Sequence, residues 1–283
     1  MTMTLSTEDT LGAILDDWTK LTLEARAAEH DWLRKLGVSL PREVDDNDRK
    51  LTMDMARDAE PHLAAFLRDN SDKTPLELEE LAVKLSPGGA HDGGLLVRLI
   101  RANMWDADPL LLAAIIRWNW HGGKRGFQFL SDPAETDLYD YEEEATSLME
   151  LFDEALDGDP HRILTGEDRA FFDSLPDRFT AYRGCAGVPV EHAATGVCWT
   201  TRRAVAEWFA LRTADFMKAE PILLSARIAK TEVRIAKASE FEVVAIPSRS
   251  RVLKCRRRLY PSWQPEMEWQ PVNGQKDQFS GAA

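Results

Sequence analysis

The chain has 283 residues, 44% hydrophobic and 29% charged, the balance of a folded globular protein and enough for one large domain or two small ones. Its best candidate for a membrane span, Leu110 to Ile116, is far too short, and Met1 to Thr10 lacks the basic start and apolar core of a secretory signal. The net charge of −13 is uneven: from Phe171 onward 12 acidic and 17 basic residues give +5, which leaves −18 for the residues before it. A change of sign near the middle predicts two regions with different jobs, and the basic region is the natural place for an anionic ligand such as a dinucleotide.

Three cysteines, Cys185, Cys198 and Cys255, are odd in number and unpaired in spacing, which argues against a disulfide framework and fits a reducing cytoplasm. The six histidines (His30, His62, His91, His121, His161 and His192) are scattered, and no zinc-site spacing is present. No P-loop occurs, and no Gly-x-Gly-x-x-Gly follows a strand, so a Rossmann NAD site is not expected.

The first region reads as helical. Leu11, Ile14, Leu15, Trp18, Leu21 and Leu23, continued by Trp32, Leu33 and Leu36, follow a helical spacing, with Ser6 or Thr7 as cap and Gly37 as stop. Further helices are expected over about 47–68, from Pro75 to Leu85, over 95–102 and from Pro109 to Trp120. The glycine-rich segment from Ser86 to Gly94 reads as a loop. Trp118 and Trp120, before the glycine pair Gly122-Gly123, read as core tryptophans at a helix end. Tyr141 to Leu156 is amphipathic, and Thr165 is placed to cap a short helix over 167–174.

After Pro176 the pattern changes to strands: Arg178 to Arg183, Glu220 to Ile228, the alternating Glu232 to Ala236, Glu240 to Ile246 before Pro247, and a last one from Ser250. One helix, Arg202 to Arg212, lies among them with Val205, Ala206, Phe209 and Ala210 on one face. The fold class expected is α+β. Residues 1–165 form an α-helical region, 166–265 a mixed domain, and 266–283 a polar tail expected to be disordered. The boundary between the first two falls between Asp157 and Pro176.

Three short motifs stand in one order. Ala181-Tyr182-Arg183-Gly184 puts an arginine at a strand end before a glycine. Gly196-Val197-Cys198-Trp199-Thr200-Thr201 is a strand running into the helix that carries Ala206-Glu207-Trp208-Phe209-Ala210. Glu240-Phe241-Glu242-Val243-Val244 puts two glutamates two apart, which on a strand share one face, with Phe241 and Val243 turned to the core. Taken together, these motifs resemble the arginine–serine–glutamate class of ADP-ribosyltransferases, which includes bacterial mono-ADP-ribosylating toxins and phage-encoded relatives. The resemblance covers about residues 171–260.

The resemblance implies a split, two-sheet β core with an NAD cleft between the sheets, NAD as substrate, and transfer of ADP-ribose to a macromolecular acceptor, a protein in the first place. Arg183 would hold the pyrophosphate with paired charge-assisted hydrogen bonds. Gly184 would let the backbone approach the nicotinamide. Glu242 would stabilise the oxocarbenium-like sugar and bind its hydroxyl. Glu240 would contact or deprotonate the acceptor. The family carries Ser-Thr-Ser where this chain has Cys198-Trp199-Thr200-Thr201, so Thr200 or Thr201 would take the place of the serine that orients Glu242, and Trp199 either stacks on the nicotinamide or belongs to the core. The helical region would recognise the target, shield the cleft or neutralise a toxin. The run from Lys254 to Arg258 reads as local charge balance or a domain contact in preference to a nucleic-acid contact. Expected location is the cytoplasm, that of a bacterial host for a phage or toxin protein. Two other readings stay open: an NAD glycohydrolase with the same site, and a non-enzymatic interaction protein built on a degenerate transferase fold.

Overall fold

The computed structural model describes residues 62, 65, 69–85, 108–120, 141–255 and 264–267, apart from the side chains of 119, 141–147 and 216. The expected helices over 11–36, 47–68 and 95–102, the loop from Ser86 to Gly94 and the tail from residue 268 lie outside the described residues. The chain divides into two compact units, Met1–Asp137 and Leu138–Ala283. The division falls before Tyr141, earlier than composition suggests. The helix over 141–156 therefore counts with the strands, to which it is tied by an ion pair from Asp153 to Arg234.

In the first unit, α1 (Pro75–Leu85) starts with a reciprocal cap. The Glu77 carboxylate accepts from Thr74 N at 2.8 Å and Thr74 Oγ1 accepts from Glu77 N at 3.3 Å. Leu78, Ala82 and Leu85 lie on its buried face. In α2 (Pro109–Asn119) the run Leu110 to Ile116 is buried throughout, so its apolar length marks a core helix. Asp108 caps it, accepting from Leu111 N and from Asn70 Nδ2, both at 3.0 Å. Trp120 is buried as expected, but Trp118 is 38% exposed.

The second unit is α+β. Helix α3 (Tyr141–Leu156) and α4 (Gly166–Ser174) precede a six-stranded antiparallel sheet. Thr165 stands at the N-cap of α4, but its hydroxyl makes no cap bond to the helix. The strands are β1 (Arg178–Ala186), β2 (Cys198–Thr200), β3 (Pro221–Ala229), β4 (Ile235–Lys237), β5 (Glu242–Val244) and β6 (Ser250–Leu253), in the order β4-β5-β2-β1-β3-β6. A short helix not foreseen from sequence, α5 (Val190–Thr195), joins β1 to β2, and α6 (Arg203–Met217) follows β2.

The pairing is uneven. β1 and β3 pair over nine residues, whereas β1 and β2 meet only at Tyr182 and Thr200. The sheet is thus two three-stranded halves, β4-β5-β2 and β1-β3-β6, hinged on one residue pair. Directly opposed residues share a face, so the register sets Glu242, Thr200, Tyr182, Ser225 and Arg251 in one row across five strands.

The opposite face carries the core, where Phe179, Ala181, Trp199, Leu224, Ala226, Ile228 and Val243 pack with Phe171 and Phe172 of α4. The first face is covered in part by α6. A Cβ on Gly184 would stand 1.8 Å from the Ala206 carbonyl oxygen, so this helix and strand can meet only at a glycine.

One buried ion pair fixes α4 to the sheet edge. Lys237 Nζ donates to Asp168 Oδ2 at 2.7 Å, and Asp168 Oδ1 accepts from Ala238 N at 2.8 Å. Removing one partner strands the other charge in the interior, which costs about 3–5 kcal/mol. Asp168→Ala is expected to lower stability on that scale in urea unfolding, and Asp168→Asn, which keeps an acceptor, by less. A second clip depends on pH. His161 contacts Asp173 at 2.7 Å and Asp159 at 2.9 Å. The bond to Asp173 raises the His161 pKa above its ordinary value, against the opposing effect of burial. The clip therefore contributes fully below the unfolded histidine value of about 6.5 and fades as pH rises through the higher folded value. The melting-temperature difference between wild type and His161→Gln should shrink from about pH 5.5 to about pH 8.5.

Candidate functional site

The hinge between the half-sheets is where the motif residues gather. Where β2 turns away from β1, the Cys198 carbonyl sits next in register without a strand partner. Arg183 supplies the missing donor: its Nη1 donates to Cys198 O at 2.9 Å. The guanidinium lies against Gly196, and a Cβ there would come within 2.2 Å of it. Gly196 is thus required for Arg183 to occupy this position. Arg183 Nε is buried and has no hydrogen-bond partner among the described residues. An unanswered buried donor costs about 1–3 kcal/mol.

Glu242 opens β5 opposite Thr200 and is half-buried. The Glu242 carboxylate and the Arg183 guanidinium both lie near enough to the Cys198 thiol to act on its charge. Burial first, and then the Glu242 charge, push the Cys198 pKa well above its usual value, and Arg183 only partly offsets them. At neutral pH the sulfur is a thiol, not a thiolate nucleophile. Two residues 59 positions apart in the sequence are therefore joined through a third, which sequence reading passed over. Its signal was its place at the start of the hydroxyl-rich motif.

The two threonines do something else. Thr200 Oγ1 donates to the Glu240 carbonyl at 2.7 Å and accepts from Arg202 N at 3.2 Å. Thr201 N donates to the Phe241 carbonyl at 2.9 Å, and Thr201 Oγ1 lies 3.5 Å from the same oxygen. Both fasten the turn ahead of Glu242.

That turn corrects the expected strand over 240–246. Glu240 and Phe241 take φ values of +59° and +52°, and the strand begins only at Glu242. Glu240 is thus not the strand neighbour of Glu242 on one flat face. Left-handed backbone in such residues costs on the order of 1–2 kcal/mol each. The cost is offset by the two threonine contacts, by a bond from Glu240 N to Met267 O, and by burial of Phe241 against Phe171 and under Arg202. Burial raises the Glu240 pKa, and the Arg212 charge opposes the shift.

Two further sequence assignments are corrected. Trp199 is 1% exposed, on the core face, with Nε1 donating to Gly196 O at 2.8 Å; a ring so enclosed offers no stacking surface to nicotinamide. The open side of Gly184 is filled by the backbone of α6, so this glycine serves helix–sheet packing. Among the described residues no metal-ligating cluster is present, and no helix is long and apolar enough to cross a membrane.

Comparison of the chain with protein-family models, with curated proteins and with solved structures gives no match. The site is accordingly argued from its own geometry.

The glycine contact gives a direct test. Gly196→Ala must displace the Arg183 guanidinium, and overpacking of this kind costs about 1–3 kcal/mol. The expected result is a lower melting temperature in Gly196→Ala and a smaller loss in the double variant Gly196→Ala/Arg183→Ala. Additive losses would show that the two residues do not share the space.

Proposed function

We propose that the second unit is an NAD-dependent mono-ADP-ribosyltransferase, with NAD as substrate and a macromolecule as acceptor. The observation that carries this reading is the gathering of Arg183, Cys198 and Glu242 at the hinge, with a buried Arg183 Nε–H that no described residue answers. A guanidinium so placed suits an anionic or carbonyl group of a dinucleotide, to which it donates strongly. β1 and β2 pair at one residue pair within a single six-stranded sheet, whereas the resemblance implies two sheets.

In the proposed reaction the bond between nicotinamide and the ribose carbon breaks. Nicotinamide leaves with the electron pair as a neutral molecule. The sugar becomes oxocarbenium-like, and the acceptor's lone pair forms the new bond to the same carbon while its proton passes to a base. Glu242 supports the sugar cation electrostatically, a role whose loss costs on the order of 100-fold or more. The Cys198 thiol positions Glu242. Glu240, whose raised pKa favours proton uptake, stands beside the acceptor as the base.

Nicotinamide release from NAD, measured with and without a cell lysate, tests the reading. Wild type should release nicotinamide in the presence of acceptor and label it. Arg183→Ala and Glu242→Gln should lower the rate by about 100-fold or more. Cys198→Ser should keep most of the rate, since a hydroxyl donates as the thiol does, and Cys198→Ala should lose it. Release at the same rate without any acceptor would replace the transferase with an NAD glycohydrolase. A folded protein that releases nothing under either condition would overturn both.

A further inference from the structure

The half-sheet β1-β3-β6 carries a second charged feature, away from the hinge. Arg178 and Thr180 alternate along β1 on the same face as Tyr182. Arg227 on β3 stands opposite Thr180, and Arg251 on β6 opposite Ser225. Arg249 immediately precedes β6. All four arginines are exposed, and none forms an ion pair with a described residue. Of the neighbouring acids, Glu232 is turned to the Ala229 amide at 2.6 Å, and Asp177 stands at the rim beside Arg178.

Two of these side chains are held against the sheet. Arg227 Nη1 donates to Thr180 Oγ1 at 3.3 Å, and Arg251 Nε donates to Ser225 Oγ at 3.1 Å. Each bond uses one of the five guanidinium N–H donors and leaves the others outward. Neighbouring strands lie about 4.8 Å apart, and diagonal positions about 7–8 Å apart. The arginines thus form an ordered array with a step comparable to that between successive backbone phosphates.

We infer that this face binds the sugar–phosphate backbone of a nucleic acid strand. Planar guanidinium forks match phosphate oxygens, and hydroxyls beside them are common backbone contacts. A protein partner is disfavoured by what the face lacks. Protein interfaces are built around an apolar centre, whereas nucleic-acid interfaces are polar and strongly positive. Around Arg178, Thr180, Arg227, Ser225 and Arg251 the face is polar, and the apolar positions that share it, Leu223 and Leu253, are buried and half-buried. Val252, 58% exposed, falls on the alternate face. The inference stands on the arginine array and does not depend on the transferase reading. The register row does place Glu242 on the same face.

The test is fluorescence anisotropy of labelled single-stranded DNA and RNA oligonucleotides of about 30 nucleotides, titrated with the full chain at about 50 and 200 mM salt. Wild type should bind at the lower salt and weaken steeply at the higher. Arg227→Glu/Arg251→Glu should bind at least about tenfold more weakly, with the salt slope reduced by about one to two. Arg227→Gln/Arg251→Gln, which removes charge without reversing it, should fall between, so a fold defect in the first variant would not decide the result. Arg183→Ala should bind as wild type does, which separates this surface from the hinge site. No binding at low salt, or equal binding by folded charge-reversal and wild-type proteins, would overturn the inference. So would competition by polyglutamate as strong as that by an oligonucleotide of equal charge, which would make the face a site for acidic protein.

Discussion

The sheet is held together at its centre by one residue pair, Tyr182 with Thr200, and much of the site follows from that. A full β1–β2 ladder would pair the backbone beyond Thr200 and leave no place for a guanidinium. With the ladder broken, the Cys198 carbonyl needs a donor, and Arg183 provides it from the neighbouring strand. Two glycines permit the arrangement from opposite sides. Gly196 leaves room for the guanidinium, and Gly184 lets α6 lie close against β1. A buried guanidinium with an open N–H is unfavourable by itself. Arg183 and the Glu242 carboxylate both act on the Cys198 thiol, with opposite sign.

The turn at Glu240 and Phe241 shows how a tertiary constraint overrides a local pattern. Glu-Phe-Glu-Val alternates as a strand should, yet only its last two residues are in the strand. Phe241 is buried in the core, Thr200 and Thr201 bind the carbonyls at 240 and 241, and Met267 takes the Glu240 amide. These contacts together outweigh the on-the-order-of 1–2 kcal/mol per residue that left-handed backbone costs. The gain is placement. Glu240 leaves the line of the strand while Glu242 remains in register with Thr200.

Most elements were legible because each has a local cause. The proline that opens α1, the apolar periods of α1, α2 and α3, and the β-rich runs from Arg178 and Pro221 can be read without tertiary knowledge. The sequence left Trp199 between core and nicotinamide, and the core face took it; the service of Gly184 to packing could not be read, because it depends on which face α6 covers. The role of Cys198 was hidden for a related reason. The sequence argued for a hydroxyl beside Glu242 and offered two; the register does set Thr200 opposite Glu242, but both hydroxyls turn to the carbonyls at 240 and 241, and Cys198 is the thiol on which the carboxylate acts. Type of side chain is visible in a sequence; which of three adjacent residues faces the gap is set by the break in the ladder.

Charge separates the basic residues of the second unit into two populations. Lys237 and Arg203 are committed to carboxylates, Arg183 to the hinge, and Arg202 and Arg212 to aromatic rings. These hold the fold or the site. Arg178, Arg227, Arg249 and Arg251 have no such commitment, yet they are not scattered over the surface. Arg178, Arg227 and Arg251 stand on one face of three adjoining strands, with Arg249 just before the third, where like charges repel and a sheet gains nothing by gathering them. In a chain of net charge −13, acids able to relieve that repulsion are abundant in composition. Their scarcity on this face, more than the arginines themselves, is what points to a polyanion supplied from outside.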